Sequence, residues 1–223
     1  MPTLPPPLDL LPPLLDGVRI TLRLTVGGIA IGVVCALAAG LGRRSRSRLV
    51  RALAAVYVET FRGTSALVQL FWFYFALPAI GVRLPAELAG ILVLGLNAGA
   101  YGAEVVRGAL GAVPSGQLEA ARALGFTQIQ TLWRIQLPQA ALAMLPPAGN
   151  LAIELLKNTS LVSMITLSEL TFQGQVLRAS TLRTTEIFTL LLLLYLALAQ
   201  LIRLAVRSLE RSLSRGRLEA APP

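Results

Sequence analysis

Few side chains in this 223-residue sequence are suited to catalysis. It contains no histidine, one cysteine (Cys35) and one lysine (Lys157), so most acid–base, nucleophilic and metal-centre schemes lack a central residue. The sequence has no glycine-rich phosphate-binding loop, so nothing in it is suited to hold a nucleotide. We therefore expect no catalytic residue, no metal and no cofactor in this chain. If ATP drives the protein, a partner must bind it.

Polar residues inside hydrophobic stretches are better candidates for function, because they are costly in hydrocarbon unless they face a partner or a pathway. Gln69, Asn97, Tyr101 and Asn150 lie in such stretches and could line a translocation pathway. Equally, side-chain amides often join membrane helices through interhelical hydrogen bonds. The sequence leaves both interpretations open.

Two acid–base pairs share one helical spacing. Glu59 and Arg62, and likewise Glu104 and Arg107, lie three residues apart, which places the partners on one helix face. The members of a pair could simply neutralise each other near the membrane edge. We interpret both pairs as structural gates or loop anchors rather than as solute ligands.

The elements that must position these residues are membrane spans. The chain is 55% apolar and 14% charged, and its apolar residues come in long blocks. Because a helix needs about 20 apolar residues to cross a bilayer, we predict an all-α integral membrane protein with helical spans. Five spans are predicted, at residues 24–42, 51–78, 88–103, 138–156 (with a kink at Pro146 and Pro147) and 187–202.

The arginines set the predicted orientation, because basic residues near span ends remain on the cytoplasmic side. They crowd the first and third connections and the segment after the last span, so the N-terminus is predicted outside and the C-terminus inside. A proline-rich segment (residues 1–16) would lie outside, and a basic tail (residues 209–223) in the cytoplasm. Anionic membrane lipids explain the net charge of +9 sufficiently, so no nucleic-acid partner is expected.

The third connection, residues 109–138, has a helix–turn–helix pattern. Ser115 is predicted to cap a first short helix, and Gly125 to end it in a left-handed conformation. Thr127 begins a capping-box pattern for a second helix, which Pro138 is expected to end. Taken alone, the pattern also fits an amphipathic hairpin at the membrane surface.

This connection resembles the ATPase-docking loop of ABC import permeases. The residues that match its E-A-A-x3-G-x9-I-x-L-P pattern are Glu119, Ala120, Ala121, Gly125, Ile135, Leu137 and Pro138. The resemblance implies a cytoplasmic coupling loop whose short helix enters a groove on a separate ATP-binding subunit and transmits its closure to the spans. The residues to which it assigns docking are Glu119, Ala120, Ala121, Leu124 and Gly125.

From Gly17 onward the chain is similar to the polar amino-acid subfamily of these permeases. The stretches that carry the similarity are ETFRGT at 59–64 with LVQLF at 67–71, YGAEVVRG at 101–108, LKNTSL at 156–161 and SEL at 168–170. The similarity implies an importer transmembrane domain over residues 17–208 in a bacterial inner membrane. The implied partners are two ATP-binding subunits, a periplasmic solute-binding protein and a second permease, identical or homologous.

For an amino-acid permease, the end of the fourth predicted span could supply a solute site. Its polar residues are Glu154, Lys157, Asn158, Thr159 and Ser160. The amide and hydroxyls could meet an α-carboxylate, and Glu154 an α-ammonium. The Thr- and Gln-rich stretch at residues 171–185 could tune the cargo toward a compatible solute such as ectoine.

Two other functions stay open from the sequence. An ion-coupled secondary transporter would work without ATP and would favour inverted repeats with broken helices at matching positions, and neither is evident in the sequence. A membrane scaffold without transport activity is the other. Adjacent genes for an ATPase and a periplasmic binding protein would favour the importer, and their absence would favour the other two functions.

Overall fold

The computed structural model describes residues 8–218, and over that range its regular elements are all helices. The α-helices are α1 (Leu11–Gly42), α2 (Arg48–Gly63), α3 (Ala66–Phe71), α4 (Ala86–Gly111), α5 (Ser115–Ala123), α6 (Gln128–Thr131), α7 (Leu137–Asn158), α8 (Leu170–Thr181) and α9 (Thr184–Leu218). Short 3-10 helices lie at Leu8–Leu10, Leu77–Ile80 and Thr159–Ile165, and π-helical turns at Trp72–Ala76 and Leu132–Gln136. The ends of the two predicted terminal segments, residues 1–7 and 219–223, lie outside the described residues.

Three helices of the described chain are long and apolar enough to cross a membrane: α1, α4, and α9 over residues 184–213. The pair α2 and α3 raises the number to four if it is one bent span. Helix α7, which contains the fourth predicted span, is not among them by length and composition. An all-helical membrane protein is thus confirmed, whereas five spans and their orientation stay predictions.

Helix α1 begins well before the predicted first span. It starts at Leu11, with Pro12 and Pro13 in its first turn, where a missing backbone N–H breaks no helical hydrogen bond. The segment expected to precede the membrane domain is therefore helical from Leu11 onward. Asp16 and Arg19 lie on this early part of the helix and form a solvent-exposed pair at 3.6 Å.

The second predicted span is wrong as a single helix. Helices α2 and α3 meet at an angle of 105°. The break lies at Thr64 and Ser65, whose backbones are extended, with φ −123° and ψ 154° at Thr64. Such a break removes helical hydrogen bonds, so the carbonyls of the last turn of α2 need other donors.

The main packing contact of the fold is the crossing of α1 and α4, where glycines let the two backbones approach closely. A Cβ atom on Gly95 would lie 2.7 Å from the Cβ of Ile31, and one on Gly99 would lie 2.6 Å from the Cβ of Cys35. Glycine therefore allows the two helices to pack closely at this crossing. Cys35 serves as a small residue at this crossing.

A buried carboxylate holds the start of α8, a helix that the sequence did not predict. Glu169 accepts hydrogen bonds from the backbone N–H groups of Thr171 (2.9 Å) and Phe172 (2.8 Å) and from the hydroxyl of Tyr195 (3.0 Å). Burial raises the pKa of the Glu169 carboxyl, although these hydrogen bonds act in the opposite direction. The SEL stretch is therefore a helix cap that also joins α8 to α9.

Candidate functional site

The turn of the third connection has the predicted left-handed glycine. Gly125 has φ +77°, its N–H donates to the carbonyl of Arg122 (2.9 Å), and the N–H of Phe126 donates to the carbonyl of Ala121 (3.0 Å). This pair of bonds is the Schellman arrangement, which ends a helix sharply. The predicted cap at the other end is wrong: Ser115 is the first residue of α5, and its side chain caps nothing.

The capping box at Thr127 is confirmed. The side-chain oxygen of Thr127 accepts from the backbone N–H of Gln130 (3.3 Å), and the side-chain oxygen of Gln130 accepts from the backbone N–H of Thr127 (2.8 Å). These reciprocal bonds satisfy two N–H groups that a helix start leaves free. Helix α5, the turn and α6 therefore form a defined hairpin, here called the cytoplasmic hairpin (residues 115–136) after its predicted location.

Pro138 does not end the second helix of this hairpin. The π-helical turn Leu132–Gln136 follows α6 and runs directly into α7, where Pro138 lies in the first turn. Proline removes one backbone donor and crowds the carbonyl four residues earlier, and a π-helical turn relieves both problems without breaking the chain. The hairpin is thus joined to α7 without an intervening loop.

Most residues assigned to docking are accessible. Glu119, Ala120 and Gly125 are exposed, and Leu124 is 74% exposed, the second most exposed large apolar side chain of the described chain. Ala121 is only 1% exposed, because it lies on the face of α5 turned toward the protein. Ala121 is therefore inaccessible to a partner in this conformation, and its assignment to docking stays a prediction.

Three helix ends meet at an ion cluster close to the hairpin. Arg43, just after α1, donates to Glu104 on α4 (Nη1 to Oε1, 2.6 Å) and more weakly to Glu59 on α2 (3.4 Å). Arg107 donates to the other Glu104 oxygen (Nε to Oε2, 2.9 Å). The predicted Glu104–Arg107 pair is present, and Glu59 pairs with Arg43 rather than with Arg62. This cluster supports the interpretation of Glu59, Glu104 and Arg107 as structural anchors.

Two amides at the α2–α3 break satisfy its carbonyl groups. The Nε2 of Gln69 donates to the carbonyls of Phe61 (2.9 Å) and Thr64 (3.2 Å), and the Nδ2 of Asn97 donates to the same Phe61 carbonyl (3.0 Å). Asn97 also donates to the side-chain oxygen of Gln69 (3.3 Å). These bonds correspond to the second of the two interpretations, in which amides join helices.

Four of the predicted pathway residues line one small cleft between α4 and α7: Asn97, Tyr101, Glu154 and Asn158. Its volume is about 10 Å³, roughly the space of one water molecule. The Arg62 guanidinium lies 5.3 Å from the centre of the Tyr101 ring, an arrangement suited to a cation–π contact. The cleft thus combines one carboxylate with two amides and an aromatic ring.

The remaining predicted residues do not line this cleft. Thr159 is fully buried and donates to the carbonyl of Leu156 (2.7 Å), while Ser160 donates to the carbonyl of Lys157 (2.8 Å). Asn150 and Lys157 are exposed elsewhere on α7. The hydroxyls expected to meet a carboxylate therefore donate to backbone carbonyls. Of the polar residues at the end of the fourth predicted span, only Glu154 and Asn158 line the cleft.

Sequence reasoning missed the apolar walls of the cleft and the central cation of the ion cluster. The walls are Leu94, Ala98, Leu151 and Leu155. Arg43 was treated only as a marker of orientation. A basic residue directly after one span and an acid near the end of another were the available indications that the two would pair.

Comparison with known proteins agrees with this geometry. Residues 28–215 match the protein family described as "Binding-protein-dependent transport system inner membrane component". The chain is 46% identical over 215 residues to the probable amino-acid ABC transporter permease protein y4tF of Sinorhizobium fredii, covering 94% of this chain and 90% of the relative. It is 37% identical over 203 residues to the glutamine transport system permease protein GlnP of Escherichia coli, with 90% and 93% covered.

A solved structure agrees as well. A chain in the crystal structure of an amino acid ABC transporter with histidines has a TM-score of 0.84 and 34% identity, with 90% of this chain and 94% of that chain covered. The fold and the sequence therefore give the same classification over nearly the whole chain. This protein belongs to the family of inner membrane components of binding-protein-dependent transport systems.

Proposed function

We propose that this chain is the multi-pass permease subunit of an ATP-binding-cassette importer in a bacterial inner membrane. It moves an amino acid or an amino-acid-like compatible solute, such as ectoine. A periplasmic binding protein delivers the solute, and a separate ATPase subunit hydrolyses ATP. Two ATPase copies and a second permease, identical or homologous, complete the complex.

The cytoplasmic hairpin carries the proposal. It presents the Glu119 carboxylate on the short helix α5 and the apolar Leu124 side chain directly after that helix, where the Gly125 turn follows. Exposed apolar side chains beside a charge are typical of surfaces that bind another protein. Because the hairpin runs directly into α7, a movement of the docked ATPase can reach the membrane helices.

The cleft is the proposed solute pathway. Its carboxylate suits the ammonium group of a zwitterion, and its amides suit polar groups of the solute. Its present volume of about 10 Å³ is too small for an amino acid, so the pathway must widen during transport. Gln69 supports the cleft through Asn97, whereas Asn150, Lys157, Thr159 and Ser160 would take part only after a conformational change.

Reversal of one charge on the hairpin tests ATPase docking. We expect Glu119→Arg to abolish co-purification of the ATPase subunit, because it removes the exposed carboxylate and places a guanidinium at the same point. The matched control is Asp16→Arg, which reverses a carboxylate that is 70% exposed on α1. Loss of the ATPase subunit in Glu119→Arg but not in Asp16→Arg supports docking at the hairpin.

Equal retention of the ATPase in both variants would remove the hairpin from the docking surface. If the wild-type chain transports solute without any ATPase, an ion-coupled transporter replaces the importer. A folded chain that neither binds an ATPase nor transports would be a scaffold.

A further inference from the structure

A second cavity, much larger than the cleft, lies between the α1–α2 connection and the cytoplasmic hairpin. Its volume is about 480 Å³, and none of the residues assigned above to the solute pathway or to ATPase docking lines it. Leu41, at the end of α1, forms part of one wall, and Arg122 of α5 forms part of another. The cavity therefore lies where a membrane span ends.

Three guanidinium groups line this cavity without a counter-ion. Arg44, Arg46 and Arg122 are exposed, and within residues 8–218 none of them forms a salt bridge. No acidic residue lines the cavity. The neighbouring Arg43, by contrast, is paired with Glu104. Uncompensated positive charge is thus concentrated in the cavity.

A buried amide also borders the cavity. Gln136 is only 7% exposed and lines the cavity, and its side chain has no hydrogen-bond partner among the described residues. The amide is not sealed off, because no side-chain polar atom in the described chain is both fully buried and unpartnered. Because its polar atoms reach the surface and have no partner among the described residues, the amide is available to donate to a ligand in the cavity.

The walls of the cavity are partly apolar, and hydrogen bonds hold the segments that form them. Phe126, Ile129 and Leu132 supply apolar surface, and Ile129 is 71% exposed near the cavity. The α1–α2 connection is held by Arg51, which donates to the carbonyl of Ser45 (3.1 Å). On the other side, the Thr127 capping box holds α6. Both walls are therefore fixed before any ligand arrives.

We propose that this cavity binds the phosphate headgroup of an anionic phospholipid. Basic pockets at the cytoplasmic ends of membrane helices recognise such headgroups by charge. Arg44, Arg46 and Arg122 surround the phosphate, and the Gln136 amide donates to a headgroup oxygen. The apolar wall contacts the glycerol and the first acyl carbons. The lipid then lies directly behind the docking helix α5.

Native mass spectrometry of the full-length chain in detergent, titrated with phosphatidylglycerol or phosphatidylcholine of the same acyl chains, tests the site. We expect phosphatidylglycerol to bind more tightly. Arg122→Gln should weaken its binding about fivefold, the effect of losing one basic charge at a membrane surface. The control is Arg48→Gln, which removes a charge from an exposed residue next to the same connection but outside the cavity.

A second variant keeps the test valid if the arginine variants fold poorly. Gln136→Leu retains the size of the side chain, and we expect it to weaken phosphatidylglycerol binding while the thermal unfolding temperature is maintained. Unchanged lipid binding in Gln136→Leu would overturn the assignment of the amide.

Four results would overturn the headgroup site. Equal binding of the two lipids would show no headgroup recognition. Equal loss in Arg122→Gln and Arg48→Gln would show diffuse surface charge. Complete displacement by inorganic phosphate at the lipid's own concentration would indicate a site for soluble phosphate. Displacement of the lipid by added ATPase subunit would make the cavity a protein contact.

Discussion

At the residue scale, the proposed solute cleft contains one carboxylate that could bind a charged group of the solute. Glu154 is the acidic residue among the cleft-lining side chains, and it is exposed to the cleft and beyond. Asn97 and Asn158 can exchange hydrogen bonds with many solutes, whereas a carboxylate selects a cationic group. In the proposed solute pathway, specificity for an ammonium group would depend on this residue.

We expect Glu154→Gln to reduce solute uptake by about 10- to 100-fold, the effect of losing a charge-assisted hydrogen bond. ATPase co-purification should not change, because no residue of the cytoplasmic hairpin lines the cleft. Uptake of labelled amino acids in reconstituted vesicles measures the effect. The control is Glu87→Gln, in the first turn of α4 and outside the cleft. Wild-type uptake by Glu154→Gln would remove Glu154 from the pathway.

Two glycines of α4 give a matched test of helix packing. A Cβ atom on Gly99 would lie 2.6 Å from the Cβ of Cys35 and 3.1 Å from the carbonyl of Gly32, whereas one on Gly108 would meet nothing within 4 Å. We expect Gly99→Ala to lower the stability by about 1–3 kcal/mol through overpacking. Gly108→Ala should leave it unchanged or raise it by up to about 1 kcal/mol. Thermal unfolding in detergent measures both, and equal effects would contradict the close crossing.

The sequence singles out polar residues that join helices, but it does not predict their partners. Gln69 and Asn97 stood out because amides are costly in an apolar stretch. Which carbonyl each amide meets depends on a helix break that lies far from Asn97 in sequence. Ala121 shows the same limit, because a motif fixes residue identity but not which face of a short helix is buried.

At the element scale, the α2–α3 break depends on Gln69. Its amide supplies a donor to the Thr64 carbonyl and shares the Phe61 carbonyl with Asn97. We expect Gln69→Leu to lower the free energy of unfolding by about 1 kcal/mol, because the part-buried hydrogen bonds to the Phe61 and Thr64 carbonyls are lost. Hydrogen exchange of backbone amides at residues 64–69 should also accelerate.

The control for this change is Gln200→Leu in α9, since the Gln200 side chain forms no hydrogen bond with the rest of the described chain. Gln200→Leu should change the free energy of unfolding by no more than about 0.5 kcal/mol. If the backbone amides at residues 64–69 exchange at the same rate in both variants, the Gln69 side chain does not stabilise the break.

The ion cluster can be tested with two adjacent arginines. The side chains of Arg43 and Glu104 are about one-fifth exposed, so solvent and salt screen their attraction only in part. We therefore expect Arg43→Gln to lower the free energy of unfolding by about 1 kcal/mol. For a chain of this length that loss lowers the unfolding temperature by about 2–4 °C. Arg44→Gln, which breaks no salt bridge of the described chain, should leave the unfolding temperature unchanged. Similar shifts in both variants would show that the cluster contributes no stability.

Helix positions were largely predictable, whereas interruptions were not. Long apolar blocks located α1, α4 and α9, and turn chemistry located the Gly125 and Thr127 features of the hairpin. The 105° bend at Thr64 was missed because Thr and Ser are uncharged and leave the apolar block continuous. At Pro138 the sequence predicts a helix end that is absent, because the π-helical turn Leu132–Gln136 accommodates the proline.

At the scale of the whole molecule, α4 connects the cleft, the ion cluster and the cytoplasmic hairpin. Asn97 and Tyr101 reach the cleft, Glu104 joins the ion cluster one turn later, and the helix ends at Gly111 just before the hairpin begins at Ser115. A displacement of the hairpin can therefore pass to the cleft through one continuous helix and through α7. The alternating access of an importer requires such a connection between ATPase and solute.

The most direct test of the central claim is uptake by vesicles containing the reconstituted complex. The binding protein and labelled solute are supplied on one side, and ATP on the side of the hairpin. We predict uptake that requires both ATP and the binding protein and is lost in Glu119→Arg. Uptake that persists without ATP and follows an ion gradient would contradict the assignment as an ABC importer permease.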